Sequence, residues 1–187
     1  MFIETEGTPN PATLKFLPGR EVMAAGRGTA DFISAEAAVR SPLATRIFAL
    51  DGVSRVFLGS EFITVTKAET AEWIALRPAV LSAVMAHYVA GLPVLEGDDD
   101  LEAEDTDPAD AEIVATIKEL LDTRVRPAVA GDGGDIIFRG FRDGVVKLRM
   151  QGACSGCPSS RATLKHGVEN MLRHYVPEVL AVEQVEA

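Results

Sequence analysis

Ile136-Ile137-Phe138-Arg139-Gly140-Phe141-Arg142-Asp143-Gly144-Val145-Val146-Lys147-Leu148-Arg149-Met150 is two runs of β-branched and aromatic residues joined by an Asp-Gly pair. Asp-Gly suits a two-residue hairpin turn, whose central residues both take positive φ. The stretch therefore predicts an antiparallel hairpin with strands at 136–141 and 145–150. Next comes Gly152-Ala153-Cys154-Ser155-Gly156-Cys157-Pro158, which holds the only two cysteines of the 187-residue chain. Ser155, Gly156 and Pro158 describe an exposed turn. Beyond it Leu164, Val168, Met171, Leu172 and Tyr175 follow helical spacing and predict one apolar helix face. Pro158 fits the first turn of that helix, with Ser159 and Ser160 as candidate caps.

A C-x-x-C pair can be a redox dithiol, half of a metal site, or two small buried residues that happen to lie close together, and the exposed turn signals weigh against the third. A disulfide closing so small a loop would do little to restrict the unfolded chain. Thiols at a helix N-terminus are biased toward thiolate, which both chemistries need. The preceding hairpin argues against a thioredoxin-type site, whose motif belongs to a βαβ unit. A tetrahedral zinc site or a [4Fe–4S] cluster takes four strong ligands. One chain supplies two, Cys154 and Cys157, so the simplest complete centre is shared by two copies.

Upstream lies Arg126-Pro127-Ala128-Val129-Ala130-Gly131-Asp132-Gly133-Gly134-Asp135. Its glycines allow positive φ and close backbone approach, and Asp132 and Asp135 can anchor it through side-chain-to-backbone hydrogen bonds. No Lys-Ser/Thr pair follows the glycines, and a strand rather than a helix comes next. The segment therefore reads as a tight helix-to-strand connection, not a phosphate cradle.

Earlier in the chain, 2–5, 14–17, 53–58 and 62–66 are strand candidates. Residues 34–49 have a helical pattern interrupted near Pro42. Pro78 can open a further helix that runs to His87-Tyr88 and ends at Gly91, with Leu81, Val84, Met85 and Tyr88 toward the core. Asn10 among its neighbouring prolines reads as a turn. None of His87, His166 and His174 is expected as a ligand, and no Ser-His-Asp or Cys-His set is present.

Taken together, Pro127…Asp132-Gly133-Gly134-Asp135, Gly144-Val145-Val146-Lys147-Leu148, the Gly152–Ser160 stretch and Ala162-Thr163-Leu164-Lys165 resemble the C-terminal domain of the NifU-like (Nfu) iron–sulfur proteins. Thr8-Pro9-Asn10-Pro11, Leu14–Gly19, Ser41-Pro42-Leu43-Ala44 and Phe62–Lys67 are similar to the N-terminal domain of the same family. The resemblance implies an iron–sulfur carrier and no enzyme. It would bind a [4Fe–4S] cluster through Cys154 and Cys157, bridging two subunits of a homodimer. It would receive the cluster from upstream assembly proteins and pass it to apo iron–sulfur proteins. Nothing before Cys154 could supply the extra cysteine-bearing domain of the longer NifU proteins, so transfer rather than de novo cluster synthesis is implied. A dithiol oxidoreductase and a zinc-binding interaction module are the alternatives.

The expected architecture is mixed α/β in two small domains. Residues 1–94 form an N-terminal α/β domain. Residues 113–187 form the cluster domain: a helix, a β-hairpin, the C-x-x-C loop, a helix and a final short strand. Between them 95–112 carries ten acids and no base, against nearly balanced flanks, so the net charge of −10 resides in this stretch. Such composition predicts a disordered, extended linker spanning about 23 Å. Asp107-Pro108-Ala109-Asp110 reads as the start of a helix. An acidic chain without basic stripes argues against nucleic acid. The apolar stretch 79–95 is broken by His87, Gly91 and Pro93, which argues against a membrane span. The opening Met1-Phe2-Ile3-Glu4 lacks a basic leader, and two thiols fit a reducing compartment. Bacterial cytoplasm is the expectation, with a mature organellar form as the other possibility.

Overall fold

A computed structural model describes residues 1–97 and 103–186. The chain divides into two compact units, Met1–Asp99 and Asp100–Ala187. The architecture is mixed α/β in both.

The first unit contains β1 (Glu4–Gly7), β2 (Thr13–Leu17), β3 (Ala30–Phe32), α1 (Pro42–Phe48), β4 (Val53–Leu58), β5 (Ile63–Lys67) and α2 (Trp73–Ala90). Its strands make one antiparallel sheet in the order β1-β2-β5-β4-β3. Phe16, Val56, Leu58, Ile63 and Val65 of the sheet share a core with Leu43 and Ile47 of α1 and Leu76, Val80 and Val84 of α2. Pro42 breaks the helical pattern because it starts α1. Ser41 is the N-cap, its Oγ accepting from Ala44 N at 3.0 Å and donating to the Val94 carbonyl at 2.6 Å. The turn at Asn10 is also present, its Oδ1 accepting from Ala12 N.

α2 differs from the expectation at its start and, among the four residues expected toward the core, at Met85, whereas Val84 is buried and Leu81 and Tyr88 pack against the core. It begins at Trp73, with Pro78 inside it, and Gly91 caps it in the left-handed conformation at φ +64°. Leu76, Val80, Ala83, Val84 and His87 take its core face. That spacing turns Met85 outward and puts His87 wholly inside. The helix is long and apolar enough, by length and composition only, to cross a bilayer, which the sequence had argued against.

The second unit contains β6 (Asp105–Thr106), α3 (Ala111–Leu120), a π-helical turn (Leu121–Val125), α4 (Arg126–Gly131), β7 (Gly134–Arg142), β8 (Val145–Gly152), α5 (Pro158–Tyr175) and β9 (Ala181–Gln184). The sheet order is β6-β7-β8-β9, with β7 and β8 antiparallel and the outer pairs parallel. The hairpin turns at Asp143 (φ 51°) and Gly144 (φ 78°), and Arg142 faces Val145 across it. Ile136, Phe138, Val146, Leu148 and Met150 point into a core shared with Ile117, Leu121, Val168 and Leu172. Tyr175, expected on that apolar face, is exposed beneath the Arg124 guanidinium.

The stretch expected as an extended linker has ordered parts at both ends. Leu95 is buried in the first core, and Asp105-Thr106 pairs with β7. Asp107 Oδ1 accepts from Ala109 N at the turn leading into α3. Asp98 to Glu102 lie outside the described residues.

Candidate metal centre

Cys154 and Cys157 are set by two ends of regular structure. β8 finishes at Gly152, whose φ of +67° turns the chain into a short 3-10 turn, Ala153–Ser155. Ser155 Oγ closes that turn on the Gly152 carbonyl at 2.8 Å. Cys157 is the N-cap of α5 and Pro158 its first residue. The helix therefore starts ahead of both expected serine caps: position 157 holds the cap, and its side chain is a thiol.

The loop is also tied to the glycine segment before β7. Ala153 N donates to the Gly133 carbonyl at 3.1 Å, and Gly133 has φ +83°. Gly134 then passes against Cys154: a Cβ on Gly134 would lie 2.8 Å from Sγ and 2.6 Å from the Gln151 carbonyl oxygen. Only glycine fits there. Next to it Asp135 is buried, and Arg126 grips it with Nε–Oδ1 at 2.9 Å and Nη2–Oδ2 at 2.8 Å. Oδ1 also accepts from Ile136 N at 2.8 Å.

These contacts alter the expectation of two exposed thiols. Cys154 keeps only 8% of its surface and belongs to the apolar core. Burial first, and then the Asp132 and Asp135 charges, push its thiol up to about 11. Iron or zinc binding would have to take that proton from Sγ. Cys157 is half-buried, its Sγ 3.3 Å from Ser159 Oγ. Neither cysteine is in a disulfide. Cys157 thus stands at the helix N-terminus, whereas Cys154 is held in the core.

The histidines lie elsewhere. His166 and His174 are exposed on α5, and His87 is in the first unit's core. Among the described residues, no group of three or more His, Cys, Asp and Glu side chains could hold a metal ion. The Arg126–Asp135 pair had no sequence signal beyond the presence of both residues in one motif, because their contact crosses a helix, a turn and a strand start.

A NifU-like domain profile matches residues 117–183, and a profile of the Nfu/NifU scaffold N-terminal domain matches residues 3–91. The chain belongs to the Nfu family of NifU-like iron–sulfur scaffold proteins. It is 55% identical to "NifU-like protein 4, mitochondrial" of Arabidopsis thaliana, over 98% of this chain and 66% of that protein. It is equally identical to "NFU1 iron-sulfur cluster scaffold homolog, mitochondrial" of Drosophila persimilis, over 99% of this chain and 65% of that protein. The chain thus spans about two thirds of these relatives' length. A solution structure of a NifU-like protein from Saccharomyces cerevisiae matches 52% of the chain and 87% of its own, at 25% identity and a TM-score of 0.48.

These relatives overturn one expectation. They are named mitochondrial, which points to an organellar setting rather than bacterial cytoplasm. Two thiols fit either reducing compartment, so cysteine usage could not separate them.

Proposed function

We propose that this protein carries a [4Fe–4S] cluster as cargo, held by Cys154 and Cys157 from each of two subunits, and hands it to apo-proteins. The observation that carries the reading is the thiol count. The only two cysteines of the chain stand on one loop, and a four-iron cluster needs four thiolates. The family supports the nature of the cargo. Residues 1–94 and 113–187 serve as separate domains joined by the acidic stretch between them.

To reach a partner subunit, Cys154 must turn out from its place against Gly134, while Cys157 already stands at the helix start. A short turn between two glycines, Gly152 and Gly156, suits such a movement. A cluster on a subunit seam is released in steps, as thiolates of a recipient replace one pair of sulfurs at a time. Delivery requires no catalytic group from this chain.

The test is anaerobic reconstitution with iron and sulfide, followed by iron analysis and sedimentation. The expected product is a dimer with about four irons. Cys154→Ala and Cys157→Ala should each abolish iron uptake. A single-cysteine variant with a full iron complement would overturn the ligand assignment, and a monomer with four irons would overturn the sharing. A colourless protein holding zinc would favour an interaction module instead.

A further inference from the structure

β6 is only two residues long, yet it lies in a seat shaped to receive it. Asp105 pairs with Gly140 and Thr106 with Phe141, parallel to β7. Any side chain at position 140 would fill the seat: a Cβ there would lie 2.5 Å from the Asp105 carbonyl oxygen and 3.0 Å from the Asp105 Cβ. Asp105 Oδ1 accepts from Arg142 Nη2 at 2.8 Å and Nε at 3.0 Å, and Oδ2 accepts from Lys147 Nζ at 2.7 Å. Glu104 Oε2 accepts from Lys118 Nζ at 2.6 Å. Cations from α3, β7 and β8 thus converge on one extended acidic segment.

The occupant is nonetheless weakly held. Its ion pairs are open to solvent, with the Asp105 and Glu104 side chains 42% and 36% exposed. Such pairs contribute little and are screened by salt. Two residues of parallel pairing add few backbone bonds. Among the described residues, no strand pairs with the same edge of β7 between Gly134 and Arg139.

We propose that this seat is a strand-addition site for an extended acidic segment of a partner protein, which displaces β6 and pairs with β7 at Gly140–Phe141. The present occupant reports the chemistry required: a carboxylate opposite Gly140, between Arg142 and Lys147, with a second acid just before it. Parallel pairing fixes the direction. Residues preceding the partner's acid would run along β7 toward Gly134, the glycine that packs against Cys154. Edge pairing supplies the affinity, and the cation cage supplies the selectivity. That the partner exchanges a cluster rests on the function proposed above; the seat itself does not.

The experiment uses the metal-free, full-length protein and a blocked peptide, Val-Thr-Val-Glu-Asp-Thr, followed by backbone amide shifts. Shifts should concentrate in β7, at Gly140–Arg142 and back toward Ile136. Asp105→Asn weakens the internal competitor and should tighten peptide binding at least five-fold. A peptide with Asn in place of Asp should bind at least five-fold more weakly, and Gly140→Ala should block the shifts. No shift in β7 with Asp105→Asn, or equal binding of the Asp and Asn peptides, would overturn the proposal. Iron uptake of the same proteins is measured separately. Normal iron without peptide binding removes the seat alone, and lost iron with intact peptide binding removes the cluster reading alone.

Discussion

Arg126 and Asp135 form a two-pronged ion pair, 2.9 and 2.8 Å, that locks the start of α4 onto the start of β7. Between them lie Gly133 and Gly134, the residues against which the cysteine loop rests. The pair is unequal in exposure: the Asp135 side chain is 5% exposed and that of Arg126 35%. Its worth therefore lies mainly in keeping a buried carboxylate satisfied. The hydrogen bonds it donates to Asp135 raise the guanidinium above its ordinary value.

Arg126→Ala should destabilise the second unit by about 2–3 kcal/mol. That is less than the 3–5 kcal/mol of breaking a fully buried pair, because water reaches the guanidinium. Arg126→Lys keeps the charge but loses the parallel donors, and should recover only part of the loss. Urea unfolding followed by a probe in the second unit measures both. A midpoint unchanged by Arg126→Ala would show that the buried carboxylate finds another partner.

Gly134→Ala should act on the thiol rather than on the sheet. Its new Cβ would collide with Sγ of Cys154 and with the Gln151 carbonyl, so the loop must give way. In the unaltered protein, alkylation at pH 7.5 should modify Cys157 well before Cys154, which is buried and raised to about 11. The raised value lowers the fraction of reactive thiolate, and burial restricts the reagent's access to it. In Gly134→Ala that gap should narrow sharply, as read by peptide mass spectrometry. An unchanged order and ratio would mean that Gly134 does not confine Cys154.

The hairpin, α5 and the cysteine loop were legible because their signals are local: Asp143-Gly144 sets the turn, and Val168 and Leu172 mark the helix face. Cys154 shows where locality fails. Ser155 and Gly156 correctly mark a turn, but the turn is drawn inward by Gly133 and Gly134, about twenty residues upstream. β6 is invisible for a similar reason: Asp disfavours strands, two residues are too few for alternation to register, and Asp105 is held by Arg142 and Lys147 from far along the chain. β3 is three residues flanked by irregular chain, too short for period-two alternation to register. Pro78 misplaced the start of α2 because proline usually opens helices, whereas here it sits on an exposed turn inside one.

His87 is fully buried, and among the described residues neither ring nitrogen makes a hydrogen bond of ordinary geometry, the Leu92 backbone giving only a weak counter-effect on its protonation. Burial, and then the Arg46 guanidinium, hold its imidazole below the usual 6.5. The sign follows from proton counting. The unfolded state binds a proton at a higher pH than the folded state does. His87 therefore costs no stability well above 6.5, and stability falls as pH drops through and below that value. His87→Leu should flatten this part of the stability–pH curve for the first unit. Parallel curves for the two proteins between pH 7 and 5 would assign the acid sensitivity to other groups.

The sharing of the cluster can be tested by counting thiolates within a single mixed dimer. If each subunit gives two, a dimer of one unaltered chain and one Cys154→Ala/Cys157→Ala chain has two ligands, half the normal set. Co-expression with two different affinity tags and sequential capture isolates that species. Its iron content and visible absorbance after reconstitution should be near zero. Homodimers of the unaltered chain from the same preparation should load fully and serve as the internal control. The single variants sharpen the result. A dimer of one Cys154→Ala chain and one unaltered chain retains three thiolates, and should take up cluster but lose it faster to a chelator. A graded series of four, three and two thiolates giving full, labile and absent cluster is the signature of a site on the seam. Full loading of the two-thiolate dimer would place the missing ligands outside the cysteines and end the argument for a shared centre.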